Sequence, residues 1–123
     1  MLRESLKKLT VLYVEDEVLI AMDGEETLRE MGFADVSVAM SYADAQATIS
    51  RNRFDLALLD INLGGGQTSF TLADVVVAKG TKVIFLSGYT SSEGLLSRLK
   101  GPLIGKPFDA NSLAEAIEIV MAD

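Results

Sequence analysis

The stretch VLYVEDEVLI, residues 11–20, changes character twice within a few positions. Thr10 to Glu15 is a short apolar run of strand-forming residues ending in an acid, which suits a buried β-strand. Glu15, Asp16 and Glu17 then follow one another, and apolar character resumes at Val18, Leu19 and Ile20. From Asp16 to Met31 the pattern is helical, with Ile20, Gly24, Thr27, Leu28 and Met31 on one face and Gly32 as the stop. A strand, a cluster of negative charge and a helix therefore succeed one another with no room for a long loop.

Working outward, the same alternation repeats. Val36 to Met40 reads as a second strand. Ser41 opens a second helix, with Asp44 three residues on, that closes near Arg51-Asn52. DLALLD, 55–60, is a third strand ending in an acid, and the glycine-rich NLGGGQTS follows. Phe70, Ala73 and Val77 mark a third helix that ends at Gly80. KVIFLS, 82–87, is a fourth strand and PLIG, 102–105, a brief fifth. Asp109 caps a last helix whose apolar positions Leu113, Ala116, Ile117, Val120 and Met121 keep helical spacing. Between the last two strands, GYTSSEGLLSRLKG, 88–101, is rich in serine and glycine and predicts a fourth helix that is short or disordered. Five β/α repeats with short connections predict an α/β fold: a doubly wound (βα)5 parallel sheet in the flavodoxin-like order 2-1-3-4-5.

Composition narrows the chemistry. The 123 residues suffice for one domain with its own core, and 49% of them are hydrophobic. No apolar run reaches the roughly 18–20 residues a membrane span needs, so no membrane insertion is expected. There is no cysteine and no histidine, which removes thiolate or imidazole metal sites and histidine-based triads. The lack of cysteine fits a cytoplasmic protein. A formal charge of −7, from 18 acids against 11 bases, argues against direct nucleic-acid binding. Carboxylates, hydroxyls, lysine and a hard cation remain.

In an open parallel sheet, ligands bind beyond the carboxyl ends of the strands where strand order reverses. Glu15 and Asp16 follow strand one, Asp60 ends strand three, Ser87 ends strand four and Lys106 follows strand five. Strands one and three are neighbours in the expected order, so three carboxylates converge. Crowded together they raise each other's pKa, and a hard divalent cation, Mg²⁺ or Mn²⁺, relieves the repulsion. Asp60 is then placed to attack phosphorus and form an acyl phosphate, with Lys106 and the Ser87 hydroxyl facing the phosphoryl oxygens. Each residue has a plainer role: a lone acid at a strand end is usually a solvated residue or a helix cap, and GGG is usually a turn. The combination at four strand ends is what carries the reading.

On these residues the chain resembles, along essentially its whole length, the receiver domain of bacterial two-component response regulators. LYVEDE is similar to that family's acidic-pair motif, LLDINLGG to its phospho-acceptor motif, FLSG to its hydroxyl position and GKPF to its lysine-proline motif. The resemblance implies that Asp60 is phosphorylated by a sensor histidine kinase, with Glu15, Asp16, Asp60 and the Asn62 backbone carbonyl holding Mg²⁺. It also implies that Ser87 and Lys106 bind the phosphoryl group, and that the Lys106-Pro107 bond is cis. Phe85-Leu86-Ser87-Gly88-Tyr89 further resembles a stand-alone subgroup with Phe-Ala-Thr-Gly-Tyr at this place. In that subgroup the fourth helix can be missing, and members often partner unorthodox sensor kinases.

Two departures stand out. Most receivers carry an aromatic residue three positions before the lysine, and here it is Leu103, so Tyr89 becomes the candidate switch aromatic. The first acid is Glu15 where aspartate is commoner. The expectation is a single receiver domain over 1–123, without an output domain, that signals through a downstream protein or acts as a phosphate sink, and in which 90–101 orders on phosphorylation. A small Mg²⁺-dependent phosphotransfer enzyme is the alternative, but neither Asp60-Ile61-Asn62 nor Asp16-Glu17-Val18 supplies the paired aspartates such enzymes use. A receiver that binds partners without phosphorylation is a further alternative, against which stands the filling of every key position.

Overall fold

Five parallel strands lie side by side in the order β2-β1-β3-β4-β5: β1 Thr10–Val14, β2 Asp35–Ala39, β3 Leu56–Asp60, β4 Lys82–Ser87 and β5 Leu103–Gly105. The computed structural model describes residues 3–88 and 99–122. Tyr89 and most of the 90–101 segment, where the fourth helix was expected, lie outside the described residues. Helices α1 Arg3–Leu6, α2 Val18–Met31, α3 Tyr42–Arg51, α4 Phe70–Ala78 and α5 Ala110–Met121 complete the chain order.

Alternation along each strand sends side chains into two cores, one on each face of the sheet. Leu12, Val14, Ala57, Leu59, Val83 and Phe85 meet Ala45 and Ile49 of α3 and Phe70, Ala73 and Val76 of α4. Val11, Tyr13, Leu56, Leu58, Ile84 and Leu86 meet Leu28 of α2 and Leu113, Ala116 and Ile117 of α5. All five residues of β3 are buried, as the centre of a sheet covered on both faces requires. The helix ends follow sequence chemistry. Ser41 Oγ accepts from the Asp44 N–H at 3.0 Å, Asp109 Oδ1 accepts from the Ser112 N–H at 2.8 Å, and Gly32 stops α2 at φ 121°.

Two local expectations change, and two further details come from the structure alone. The first helix begins at Val18 rather than Asp16, with Glu17 as its cap residue, because Asp16 is held in the loop at the mouth of the sheet. Apolar Val18, Leu19 and Met22 face solvent, Leu19 with 80% of its surface exposed. In α4 the buried position is Val76, and Val77 is exposed. Finally, the charged N-terminus forms the turn α1 and tucks Leu6 into the second core.

Strand register sets the level of the site. Val14 pairs with Leu59, Asp60 with Leu86, and Ser87 with Gly105. The residues that follow β1 and β5, and those that end β3 and β4, therefore leave the sheet at one rim.

Candidate functional site

At that rim, Lys106 joins the acids of two strands. Its Nζ donates to Glu15 Oε1 and Oε2 at 3.0 and 3.2 Å and to Asp60 Oδ2 at 2.9 Å. Glu15 is fully buried, Asp60 nearly so, and the Lys106 side chain is 8% exposed. Glu17, exposed to solvent, stands 4.0 Å from the same ammonium. Carboxylate oxygens of Glu15, Asp16 and Asp60 all lie within 4.8 Å of one another. Residues 15, 16, 60 and 106, spread over most of the chain, thus meet as the sequence predicts.

Electrostatics follow from this crowding. Burial drives the Asp60 carboxyl up and the Glu15 charge adds to it. The Lys106 bond pulls it back, and the outcome is a pKa of about 7 against the ordinary 3.8. Burial opposes the Lys106 ammonium, but its bonds to Asp60 and Glu15 outweigh that and hold its pKa above the usual lysine value. Beneath the site, the Tyr13 hydroxyl is pushed up by burial first and then by Glu15, Asp60 and Asp23.

An open cavity fronts these groups, walled by Asp16, Glu17, Asp60, Asn62, Gly64, Gly88 and Lys106. Gly64 takes φ +83°, and a Cβ there would stand 3.5 Å from Asp16 Oδ2. That distance is an ordinary contact, so what calls for glycine here is the left-handed backbone. The GGG segment reads as a mere turn in the sequence, and nothing in its composition marks Gly64 as part of the site. Ser87 is buried at the end of β4, and its carbonyl accepts from the Lys106 N–H at 2.9 Å. The Lys106-Pro107 peptide is cis.

The donor set fits a hard divalent cation: clustered carboxylate oxygens, an exposed Asn62 beside them, and no nitrogen or sulfur ligand of the type softer metals prefer. Residues 11–118 match the family model described as the response regulator receiver domain. The chain belongs to that family. Receiver domains are signalling domains rather than catalytic enzymes.

Relatives agree. The receiver is 32% identical to SdrG of Sphingomonas melonis Fr1, whose solution structure superposes with a TM-score of 0.78 over 92% of this chain and 96% of that one. It is 27% identical to the transcriptional regulatory protein PdtaR of Mycobacterium tuberculosis over 91% of this chain and 56% of PdtaR. It is also 27% identical to the transcriptional regulatory protein ZraR of Salmonella typhimurium, over 94% of this chain and 27% of ZraR. The chain thus spans about half the length of PdtaR and about a quarter of ZraR. Among the described residues no helix is long and apolar enough to cross a membrane.

Proposed function

We propose that this receiver accepts a phosphoryl group on Asp60 from a sensor histidine kinase and signals by contact with a protein partner or drains phosphoryl groups from the kinase. The observation that carries the reading is the contact of Lys106 Nζ with both Asp60 and Glu15 beside Asp16. A carboxylate oxygen of Asp60 attacks phosphorus. The new P–O bond forms as the P–N bond to the donor imidazole breaks, and the electron pair leaves with the imidazole nitrogen. Lys106 keeps its charge next to the transferred phosphoryl oxygens, and the buried Ser87 provides a hydroxyl from the adjacent strand. The acids Glu15, Asp16 and Asp60 and the Asn62 carbonyl are the groups to hold Mg²⁺ or Mn²⁺, which when bound supplies positive charge for the phosphoryl oxygens.

Val18, Leu19 and Met22 expose an apolar stripe on α2 directly after Asp16 and Glu17, a surface suited to a protein donor rather than a small molecule. The formal charge of −7 supports protein rather than nucleic-acid contacts for these 123 residues. Intact-mass measurement after incubation with Mg²⁺ and acetyl phosphate is expected to show one added phosphoryl group. Asp60→Asn is expected to lose it, and an unmodified wild type would overturn the proposal.

A further inference from the structure

We propose that Tyr13 is a positioning residue for phosphoryl acceptance: its ring is the spacer that sets the distance between the two walls flanking Asp60, an assignment that rests on the phospho-acceptor reading above. One wall is the Asp16-Glu17 turn that leads into α2, and the other is the Lys106-Pro107-Phe108 turn that leads into α5. They face each other closely, with Glu17 Oε1 4.0 Å from Lys106 Nζ. Tyr13 is fully buried beneath them and touches the elements behind both. Its hydroxyl donates to the Ile20 carbonyl in the first turn of α2 at 3.3 Å. Its ring lies against Gly24, one turn farther on, where a Cβ would stand 2.6 Å from Tyr13 Cε2 and 2.7 Å from Cζ. The same ring meets Phe108 edge to face, with centroids 5.8 Å apart and planes at 77°.

The buried face of α2 shows why a spacer is needed. Ala21 and Gly24 are its first buried residues, and a large one, Leu28, comes only a turn later. Small residues let a helix approach what it packs on, and close packing leaves no void between them. The volume that holds the first turns of α2 off the sheet therefore comes from the strand, as Tyr13. An aromatic ring supplies it in one rigid piece, and the hydroxyl finds the partner that a buried polar group requires. Ile20 lies four residues after Asp16, and Phe108 two after Lys106, so a change in ring size reaches both walls through a few residues. A phosphoryl group received at Asp60 must fit between those walls, and a misplacement of about 1 Å can cost about a hundredfold in rate. A residue that merely filled the core would change stability and leave the rate alone.

The test compares the rate of phosphorylation of the full chain by acetyl phosphate at one fixed concentration in saturating Mg²⁺, followed by intact mass. Tyr13→Leu removes the spacer and is expected to slow the reaction about tenfold or more, whereas Tyr13→Phe keeps the ring and should cost at most about threefold. Gly24→Ala overfills the same gap from the helix side and should also slow the reaction. Tyr13→Leu/Gly24→Ala should recover most of either loss, the mark of a distance rather than of one side chain. Ile117→Ala opens a void in the same core two turns along α5; it should lower stability and leave the rate within about twofold. A folded Tyr13→Leu protein phosphorylated at the wild-type rate overturns the assignment, and so does an Ile117→Ala protein slowed as much as Tyr13→Leu. If Tyr13→Leu does not fold, Gly24→Ala alone decides, and an undiminished rate there overturns it. Wild-type protein that takes up no phosphoryl group removes the phospho-acceptor reading itself, whereas a phosphorylated wild type with indifferent variants removes only the role given to Tyr13.

Discussion

Asp60→Asn should make the metal-free protein more stable, and the gain should depend on pH. The substitution removes one of two buried carboxylates that share Lys106. Asp60 titrates at about 7 in the folded chain against 3.8 for an ordinary aspartate. The folded state therefore holds the proton more tightly than the unfolded one. Stability falls as pH rises across that window, and the full cost is present above it. At about 1.4 kcal/mol per pH unit the window amounts to about 4 kcal/mol. That shift already contains the pull of the Lys106 bond, so the gain expected near pH 8 is at most about 4 kcal/mol. At about pH 2.5, below both values, where the wild-type carboxyl is protonated in both states, the two proteins should be equal. Urea unfolding followed by circular dichroism in EDTA at both pH values measures this, with equal m-values as the control for a shared denatured state. Saturating Mg²⁺ should reverse the order by stabilising only the wild type. An Asp60→Asn protein no more stable than wild type near pH 8 without metal would refute the claim that these carboxylates are crowded.

Three further outcomes follow from local geometry. Gly24→Ala would gain about 1 kcal/mol in an exposed helix, but here a Cβ would lie 2.4 Å from Tyr13 Oη and 2.6 Å from Cε2; a net loss of about 1–3 kcal/mol is expected in urea melts, relieved in a Tyr13→Leu background. Asp55 accepts from the Thr10 N–H at 2.9 Å, which with the Thr10 hydroxyl and Arg53 holds its carboxyl below the usual range. Asp55→Asn should then cost about 2 kcal/mol near neutral pH, a penalty that vanishes as pH falls through the depressed pKa and the wild type protonates. Ser69 precedes α4, fully buried, with a hydroxyl that finds no partner among the described residues and does not cap the helix; Ser69→Ala should raise stability by about 1 kcal/mol instead of incurring the usual loss of a cap.

Much of the architecture was legible because two signals agreed at each element. VIFL in KVIFLS and LALL in DLALLD are unbroken apolar runs, as strands covered on both faces must be, and each is closed by a polar residue whose place at the rim follows from parallel register. Ser41 and Asp109 were legible as caps because capping needs only one side-chain oxygen at a fixed offset. Where one signal stood alone, reading was weaker. Val18 and Leu19 look like core in any hydropathy count, yet they sit on the outward side of α2, and a run of apolar residues at a helix start does not say which way it turns. In α4, Val75, Val76 and Val77 are identical in type, so composition could not pick out Val76 as the buried one. Leu6 escaped notice because four charged residues surround it within the first eight positions.

The site divides in the same way, and the division is physical. Which residues converge follows from topology: strand order brings β1 and β3 together, and register then levels their ends, so Glu15, Asp16, Asp60 and Lys106 could be placed from residue type and position. Which atoms pair once they arrive depends on differences of one methylene and one hydrogen bond, below anything spacing can express. Glu15 and Asp16 read as an equivalent pair in the sequence. In three dimensions one is sealed beneath an ammonium and the other faces an open cavity. Adjacent residues of a chain leaving a strand point to opposite sides, so an acidic pair at such an end is predisposed to split its labour, one carboxylate inward and one outward. Here the inward one meets lysine, and the charge that would otherwise be intolerable in the core becomes the counterion of a nearly buried ammonium.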